Sequence, residues 1–304
     1  MRDALHLPTL RQLQFLAALA EHGQFSLAAE AVGVTQPTLS AGIRELEAAI
    51  GVTLVERGRT ASPLTRAGEE AALRAQRLLA EAQDLVHAAR GAGEPLAGEY
   101  RLGGIPTIAP FLLPRAIGLL RARFPKLRLA LREDFTLRLV EQLRARTIDA
   151  ALIALPYDAA GIEVVTIAND EFLFAAPPES PLARKPDLSP KDLVDAPLML
   201  LEDGHCLRVH ALSACRGQDL RSDDDVAATS LFTLVHMIAG GLGVSMLPKL
   251  AVDAGVAAGL DIVIRPFAQP VIGRSIGVAW RKGSAREDET RLLAKALKDS
   301  LNNG

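Results

Sequence analysis

Cysteine is almost missing from this sequence: among 304 residues only Cys206 and Cys215 occur. A fold pinned together by many disulfides is thereby excluded, and the two thiols are either inert core residues or a redox pair. Aromatic residues make up only 4%, with a single tryptophan, so the core has to be built from aliphatic side chains. An excess of one charge is lacking too. The net charge is −2, and residues 1–66 hold six arginines, six acids and no lysine. No broad basic field advertises nucleic acid. Any DNA contact must therefore come from individually placed side chains.

No apolar run approaches the roughly 18 to 20 residues of a membrane span. Arg2, Arg11 and Ala18-Leu19-Ala20 imitate the charged and cleavage regions of a secretory signal. Gln12 and Gln14, however, cut the apolar stretch below the roughly 7 to 15 residues such a signal needs. Leu13, Leu16, Ala17 and Ala20 instead fall at i, i+3, i+4 and i+7, the inner face of a first helix. A cytoplasmic protein with no membrane contact is expected. Signatures of catalysis are equally scarce. Gly240-Gly241-Leu242-Gly243 lacks the third glycine of a dinucleotide fingerprint and reads as a helix end. No GxSxG, Walker loop or HExxH occurs. His205, Cys206 and His210 lack a fourth ligand and a recognised zinc spacing. No enzyme, metal or cofactor is expected.

What is present is an ordinary globular composition, 49% hydrophobic and 23% charged, long enough for two or three folded units. After the first helix, Ser26 is placed to cap a short helix ending near Val32, and Gly33 suits a left-handed helix end. Thr35 caps the next helix, whose first turn tolerates Pro37. Leu39, Ile43, Leu46 and Ile50 form its apolar stripe, and Gln36, Ser40, Arg44 and Glu47 its polar face. Two helices around a glycine-containing turn make a helix-turn-helix. The polar face is either an ordinary wet surface or a DNA reader: glutamine pairs with adenine, arginine with guanine or phosphate. Thr53 to Arg57 and Ala61 to Thr65 read as two short strands around a turn bearing Arg57 and Arg59, a basic wing.

From Thr65 to about Arg90 the chain is rich in Ala, Leu, Glu, Arg and Gln. Ala71, Ala75, Leu78, Ala82, Leu85 and Ala89 repeat in steps of four and three. Such a seam fits a dimer of helices or packing against the chain's own first domain. Gly91 to Pro95 then breaks the helix. Beyond Tyr100 short apolar strands alternate with helices. Strands are expected at Leu102–Ile105, Leu127–Leu131, Ile148–Ala154, Val164–Ile167, Phe172–Ala176 and Ile276–Trp280, with a helix at Pro110–Phe124. That alternation predicts an α/β sheet with helices on both faces.

Phe15 to Ala20, Phe25 to Ala29, Thr35-Gln36-Pro37-Thr38-Leu39-Ser40, Leu46-Glu47, Gly51 to Arg57 and Leu64 to Gly68 resemble the DNA-binding domain of LysR-type transcriptional regulators. The resemblance implies that Gln36, Pro37, Thr38, Ser40 and Arg44 face the major groove, with Arg57 near a phosphate. It implies a winged helix-turn-helix domain over 1–65, a linker and dimerisation helix over 66–92, and an α/β regulatory domain over 98–304. That last domain would have two subdomains, similar to periplasmic binding proteins. Glu202-Asp203-Gly204-His205-Cys206-Leu207-Arg208, with Cys215 eight intervening residues further on, is similar to the peroxide-sensing OxyR branch. Ile105 to Thr107, Leu112 to Pro114, Thr229 to Leu231 and Arg274 to Gly277 resemble it too. This implies that Thr107, Thr136, His205 and Arg274 gather around Cys206 to bind peroxide, and that Cys215 resolves the sulfenic acid to a disulfide. From the residues alone, Thr107 as a helix cap and Arg274 in a surface turn are the plainer alternatives. The implied partners are double-stranded promoter DNA, further copies in a homodimer or homotetramer, RNA polymerase, and hydrogen peroxide as signal. Asp225 stands where relatives often carry histidine, and Cys215 lacks the aromatic neighbours they often have. A metabolite-sensing LysR regulator with passive cysteines and a thiol peroxidase are the rival readings.

Overall fold

In the first domain Leu39, Ile43 and Leu46 recur on one helical face and are buried with Leu13, Phe15, Leu16, Leu19 and Leu54 in a core of their own. Burial of each large aliphatic side chain contributes about 1.5–3 kcal/mol. The computed structural model describes residues 7–56, 64–90, 94–214, 227–268 and 271–302. The chain divides into two units, residues 1–92 with 145–147, and 93–144 with 148–304. Among the described residues no helix is long and apolar enough to cross a membrane.

The first unit contains α1 (Leu10–His22), α2 (Phe25–Ala31), α3 (Gln36–Ile50) and α4 (Arg66–Arg90). Thr9 and Gln12 close a capping box at the start of α1. The inner face of α1 differs from the expected stripe: Ala20 is exposed, and the bulkier Phe15 and Leu19 are buried instead. Ser26 does not cap α2. The helix begins two residues earlier than such a cap would allow, Gln24 holds the cap position, and no side chain caps it. Thr35 does cap α3, its hydroxyl accepting from the Thr38 amide at 3.4 Å. Gly42 lies against Phe15, and a Cβ there would stand 2.4 Å from the ring. The apolar stripe of α3 stops at Leu46, because Ile50 is 42% exposed.

Of the two expected wing strands, a single antiparallel bridge joins Val55 to Leu64. Arg57, Arg59 and the turn between lie outside the described residues. Helix α4 starts at a Thr65 cap, whose hydroxyl accepts from the Gly68 amide at 3.0 Å. Its seam is divided. Ala72 and Ala75, with Ala71 and Leu79, pack into the first core, whereas Leu78 and Leu85 are 54% and 70% exposed.

The second unit opens with β1 (Gly98–Gly104), α5 (Ala109–Arg123), β2 (Leu127–Glu133), α6 (Thr136–Ala145) and β3 (Ala150–Leu155). Then follow β4 (Ile162–Ala176), α7 (Cys206–Ala214), α8 (Leu231–Ala239), β5 (Ser245–Pro248) and α9 (Lys249–Asp253). The chain closes with β6 (Val263–Pro266), β7 (Gly273–Arg281) and α10 (Glu287–Asn302). Strand β1 runs parallel to β2 and β3, and β7 joins β3 and β4 antiparallel. The apolar run of β3 is buried from Ala150 to Ala154, as expected of a strand covered on both faces.

The expected strands Val164–Ile167 and Phe172–Ala176 are one continuous β4. Its first part pairs with β7 and is broken only by a bulge between Thr166 and Ala168. Its last part pairs with β5 on one side and β6 on the other. Polar Asn169, Asp170 and Glu171 interrupt the apolar pattern here, which splits the strand in a reading of periodicity alone. One strand thus crosses from one sheet to the other and joins the two lobes. Asp170 and Arg274 face each other across the β4–β7 pairing at this crossing.

Candidate functional site

Helix α3 carries Gln36, Pro37, Thr38 and Arg44 exposed, with Ser40 partly covered. The helix N-terminus adds the positive end of its dipole beside Gln36 and Thr38. Glu47 does not belong to this polar face. Its Oε1 accepts hydrogen bonds from the amides of Leu54 (2.8 Å) and Val55 (3.2 Å), bracing the segment that leads into the wing. What remains outside is a short row of neutral donors and acceptors with one arginine, suited to base edges and phosphate.

The second constellation lies where α5, α6 and α7 begin. Thr107 precedes α5, Thr136 is the first residue of α6, and Cys206 is the first residue of α7. Thr107 caps nothing: the cap position of α5 is Ile108, without a side-chain bond. The Thr107 hydroxyl and carbonyl both accept from Arg274, Nη1 and Nη2 each at 2.8 Å. Arg274 sits in β7, not in a surface turn, and its Nε donates to Asp170 Oδ2 at 3.0 Å. The two side chains are 0% and 1% exposed. Asp170 also accepts from the Leu250 amide at 2.9 Å, so the carboxylate is held from two sides.

An arginine carries five N–H donors. Three are committed here, and the Cys206 sulfur lies beside the remaining ones. Cys206 is half-buried and carries a free thiol. Burial raises its pKa above the ordinary thiol value. Opposing pulls come from the Arg274 charge, the Thr136 hydroxyl and the cysteine's own amide, and burial outweighs them. Thr136 Oγ1 is sealed from solvent and makes no hydrogen bond of good geometry among the described residues. Its hydroxyl instead lies beside the Cys206 sulfur, whose charged form it favours.

Gly204, with φ of +99°, turns the chain sharply into α7. His205 is buried next to it, edge-on to Phe135 with ring centroids 4.8 Å apart. Burial lowers its pKa, against a smaller opposing effect of the Thr229 carbonyl that bonds the ring. His205 Nε2 has no partner among the described residues. Cys215 and Asp225 lie outside the described residues, so the cysteine pair is seen from one side only.

Comparison with known proteins matches residues 10–69 to the bacterial regulatory helix-turn-helix protein, lysR family, and residues 93–302 to the LysR substrate binding domain. A Mycobacterium avium protein called probable hydrogen peroxide-inducible genes activator is 41% identical, over 97% of this chain and 94% of its own. Among solved structures, a full-length OxyR of Pseudomonas aeruginosa with a cysteine-to-aspartate substitution superposes with a TM-score of 0.79. It is 36% identical and covers 96% of this chain and 95% of that one. A Corynebacterium glutamicum OxyR, a cysteine mutant with hydrogen peroxide bound, gives a TM-score of 0.68 at 30% identity, over 99% and 94%. The chain is a LysR-type transcriptional regulator of the OxyR group.

In this LysR-type chain, the candidate residues Thr107, Thr136, His205, Cys206 and Arg274 come together from four separate parts of the regulatory domain. Sequence reasoning missed Asp170, which is 104 positions from its partner Arg274. Only the β4–β7 register makes them neighbours, and no local signal marks it. Phe135 and the Thr229 carbonyl were missed for the same reason. Glu47 was misread because its hydrogen bonds run to the main chain beyond the end of its own helix.

Proposed function

We propose that this chain is a cytoplasmic, peroxide-responsive regulator of promoter DNA, switched by oxidation of Cys206 and by a reversible Cys206–Cys215 disulfide. The observation that carries the reading is the convergence of the buried Arg274 and of Thr136, at the start of α6, on a thiol that itself begins α7. The helix starts contribute partial positive charge, and Arg274 adds a full one, so the site favours the negative charge that develops on sulfur and on the departing oxygen during attack, while burial keeps the resting group a thiol. Attack of the thiolate on peroxide yields a sulfenic acid, which Cys215 converts to a disulfide with loss of water. Thr107 and Asp170 position Arg274. Thr136 and His205 address the bound oxidant. Residues 1–65 act as the DNA-binding domain, 66–92 as the linker that pairs subunits, and 98–304 as the sensing domain. The assembly is a homotetramer built as a dimer of dimers, contacts RNA polymerase, and is not an enzyme.

Peroxide consumption per subunit tests this. The chain is expected to consume about one equivalent and then stop, and to react again only after a thiol reductant is supplied. A thiol peroxidase turns over many times with reductant present. A metabolite-sensing regulator barely reacts, and the groove of about 910 Å³ along the crossing strands gives that alternative a place for its ligand. Arg115, Asn169, Glu171 and Lys249 line that groove, and Cys206 does not.

Three further outcomes are expected. Because burial holds the Cys206 thiol above its ordinary value, the thiolate fraction is small near neutrality and grows about tenfold per pH unit. In a Cys215→Ser chain, alkylation of Cys206 by iodoacetamide should rise with that slope between about pH 7 and 8.5. A plateau below pH 8 would mean the thiolate is already formed. On the DNA side, Arg44→Ala should weaken specific binding by roughly 1 to 3 kcal/mol if it reads a guanine. Equal loss on matched and scrambled DNA demotes it to a phosphate contact. For the linker, Leu78→Asp places a charge on an exposed position of α4, so each chain should fold as before while the subunits separate. Sedimentation that finds an unchanged oligomer moves the interface elsewhere.

A further inference from the structure

His210 is a half-buried titratable group that the mechanism above leaves unused. It lies four residues after Cys206 in α7, and residues so spaced stack on one helix face about 5–6 Å apart at Cβ. Helix α7 packs against β7, the strand that carries Arg274. His210 Nδ1 is sealed from solvent and has no hydrogen-bond partner among the described residues. A buried nitrogen without a partner is costly to keep, on the order of 1–3 kcal/mol. Its retention beside a reacting thiol calls for a use.

We propose that His210 carries the proton that peroxide reduction must move, from the Cys206 thiol to the departing oxygen. The inference rests on the peroxide-sensing reading. In the reaction the sulfur–oxygen bond forms and the O–O bond breaks. Sulfur is oxidised to the sulfenic acid, and the distal oxygen leaves with the bonding electron pair. That oxygen takes up the proton the thiol gave away and departs as water. The thiol proton therefore has to travel a short distance within a half-buried site.

His210 suits the task electrostatically as well as by position. Burial lowers its pKa, and the Arg274 charge lowers it further, so the ring is neutral at rest and able to accept. Once charged it is a stronger acid than an ordinary imidazolium and gives the proton up readily. The charged group that acts on it is Arg274 of β7, itself neutralised by Asp170 of β4; Cys206 lies one turn before it on α7, and His205 immediately precedes that helix. His205 is the less suited of the two histidines, because the Thr229 carbonyl and Phe135 fix its ring.

In the peroxide reaction the thiol proton passes through His210 to the departing oxygen within the bond-breaking step, so no free thiolate has to form beforehand and the site undergoes no net change in protonation. Wild-type oxidation should therefore vary less steeply with pH than alkylation does between about pH 6 and 7.5. The test is made in the full-length Cys215→Ser chain, with hydrogen peroxide and iodoacetamide as the two probes, because iodide leaves without needing a proton. His210→Gln is expected to slow sulfenic acid formation on the order of 10-fold at pH 6.5. Its peroxide profile should steepen to the slope of alkylation, and alkylation itself should change little, which also reports an intact pocket. Equal losses toward both probes, or an unchanged peroxide rate, overturn the role of His210 while leaving the sensor reading intact. A parent chain that peroxide does not oxidise at all overturns the sensor reading and this inference together.

Discussion

Oxidation of the wild-type chain is expected to abolish hydrogen-exchange protection along α7, and oxidation of Cys215→Ser is expected to leave it in place. The reason is length. Eight helical steps separate Cys206 from Ala214, which at 1.5 Å each puts their Cα atoms about 12 Å apart. One further peptide step recovers at most about 3.8 Å, whereas a disulfide needs Cα atoms within about 7 Å. A helix from 206 to 214 and a 206–215 disulfide therefore exclude one another. Forming the bond must unwind α7 and pull Leu207 and Ala211 out of the regulatory core, where both are buried. The reduced helix is held by that burial, the oxidised form by a covalent bond, and the two states are discrete. Exchange at the α7 amides should accelerate by roughly 100-fold or more in the disulfide form. Identical protection in both redox states would sink the refolding switch, even with Cys206 as the reactive thiol.

Asp170→Ala is expected to be the most damaging substitution outside the cysteines. Arg274 and Asp170 are both fully buried, so the pair as a whole is weak evidence of stability, but removal of one partner strands a charge. That loss costs about 3–5 kcal/mol, a large share of the total stability of a domain. The Leu250 amide loses its acceptor at the same time. Urea unfolding followed by circular dichroism should show the shift. Arg274 would no longer be held against Thr107, so the variant should also oxidise more slowly with peroxide under conditions where it remains folded. Arg274→Met with Asp170→Leu removes both charges together. It should recover much of the stability without recovering the reactivity, which separates the structural from the chemical share of the pair. Destabilisation of less than about 1 kcal/mol by Asp170→Ala would show that the pair does not carry the weight assigned to it.

The helix-turn-helix was legible because its signals are local. Periodicity placed Leu39, Ile43 and Leu46, Thr35 announced a cap, and Gly33 announced a turn. Where a neighbour outside the window decides, the local signal failed. Ser26 is a good cap on paper, yet the chain enters α2 two residues sooner. Ile50 continues the apolar stripe in number, but the core of the first unit ends before it. The heptad-like seam of α4 mixes two uses: part of it is covered by the chain's own core and part is left outside.

What the sequence by itself determined is the inventory: two α-rich and α/β-rich halves, a helix with a DNA-suited face, and one cysteine preceded by a histidine at the start of a helix. Local spacing specifies these because helices and strands have fixed periods. The tertiary structure alone decided that Thr107 bonds Arg274 instead of capping α5. It also decided that Asp170 holds that arginine, and that burial sets the resting protonation of Cys206 and His210. Those outcomes depend on the antiparallel register of β4 on β7 and on how deeply α7 is seated. Both are products of packing between residues far apart in the chain, 104 positions in the case of Asp170 and Arg274, and no local pattern in the chain encodes them.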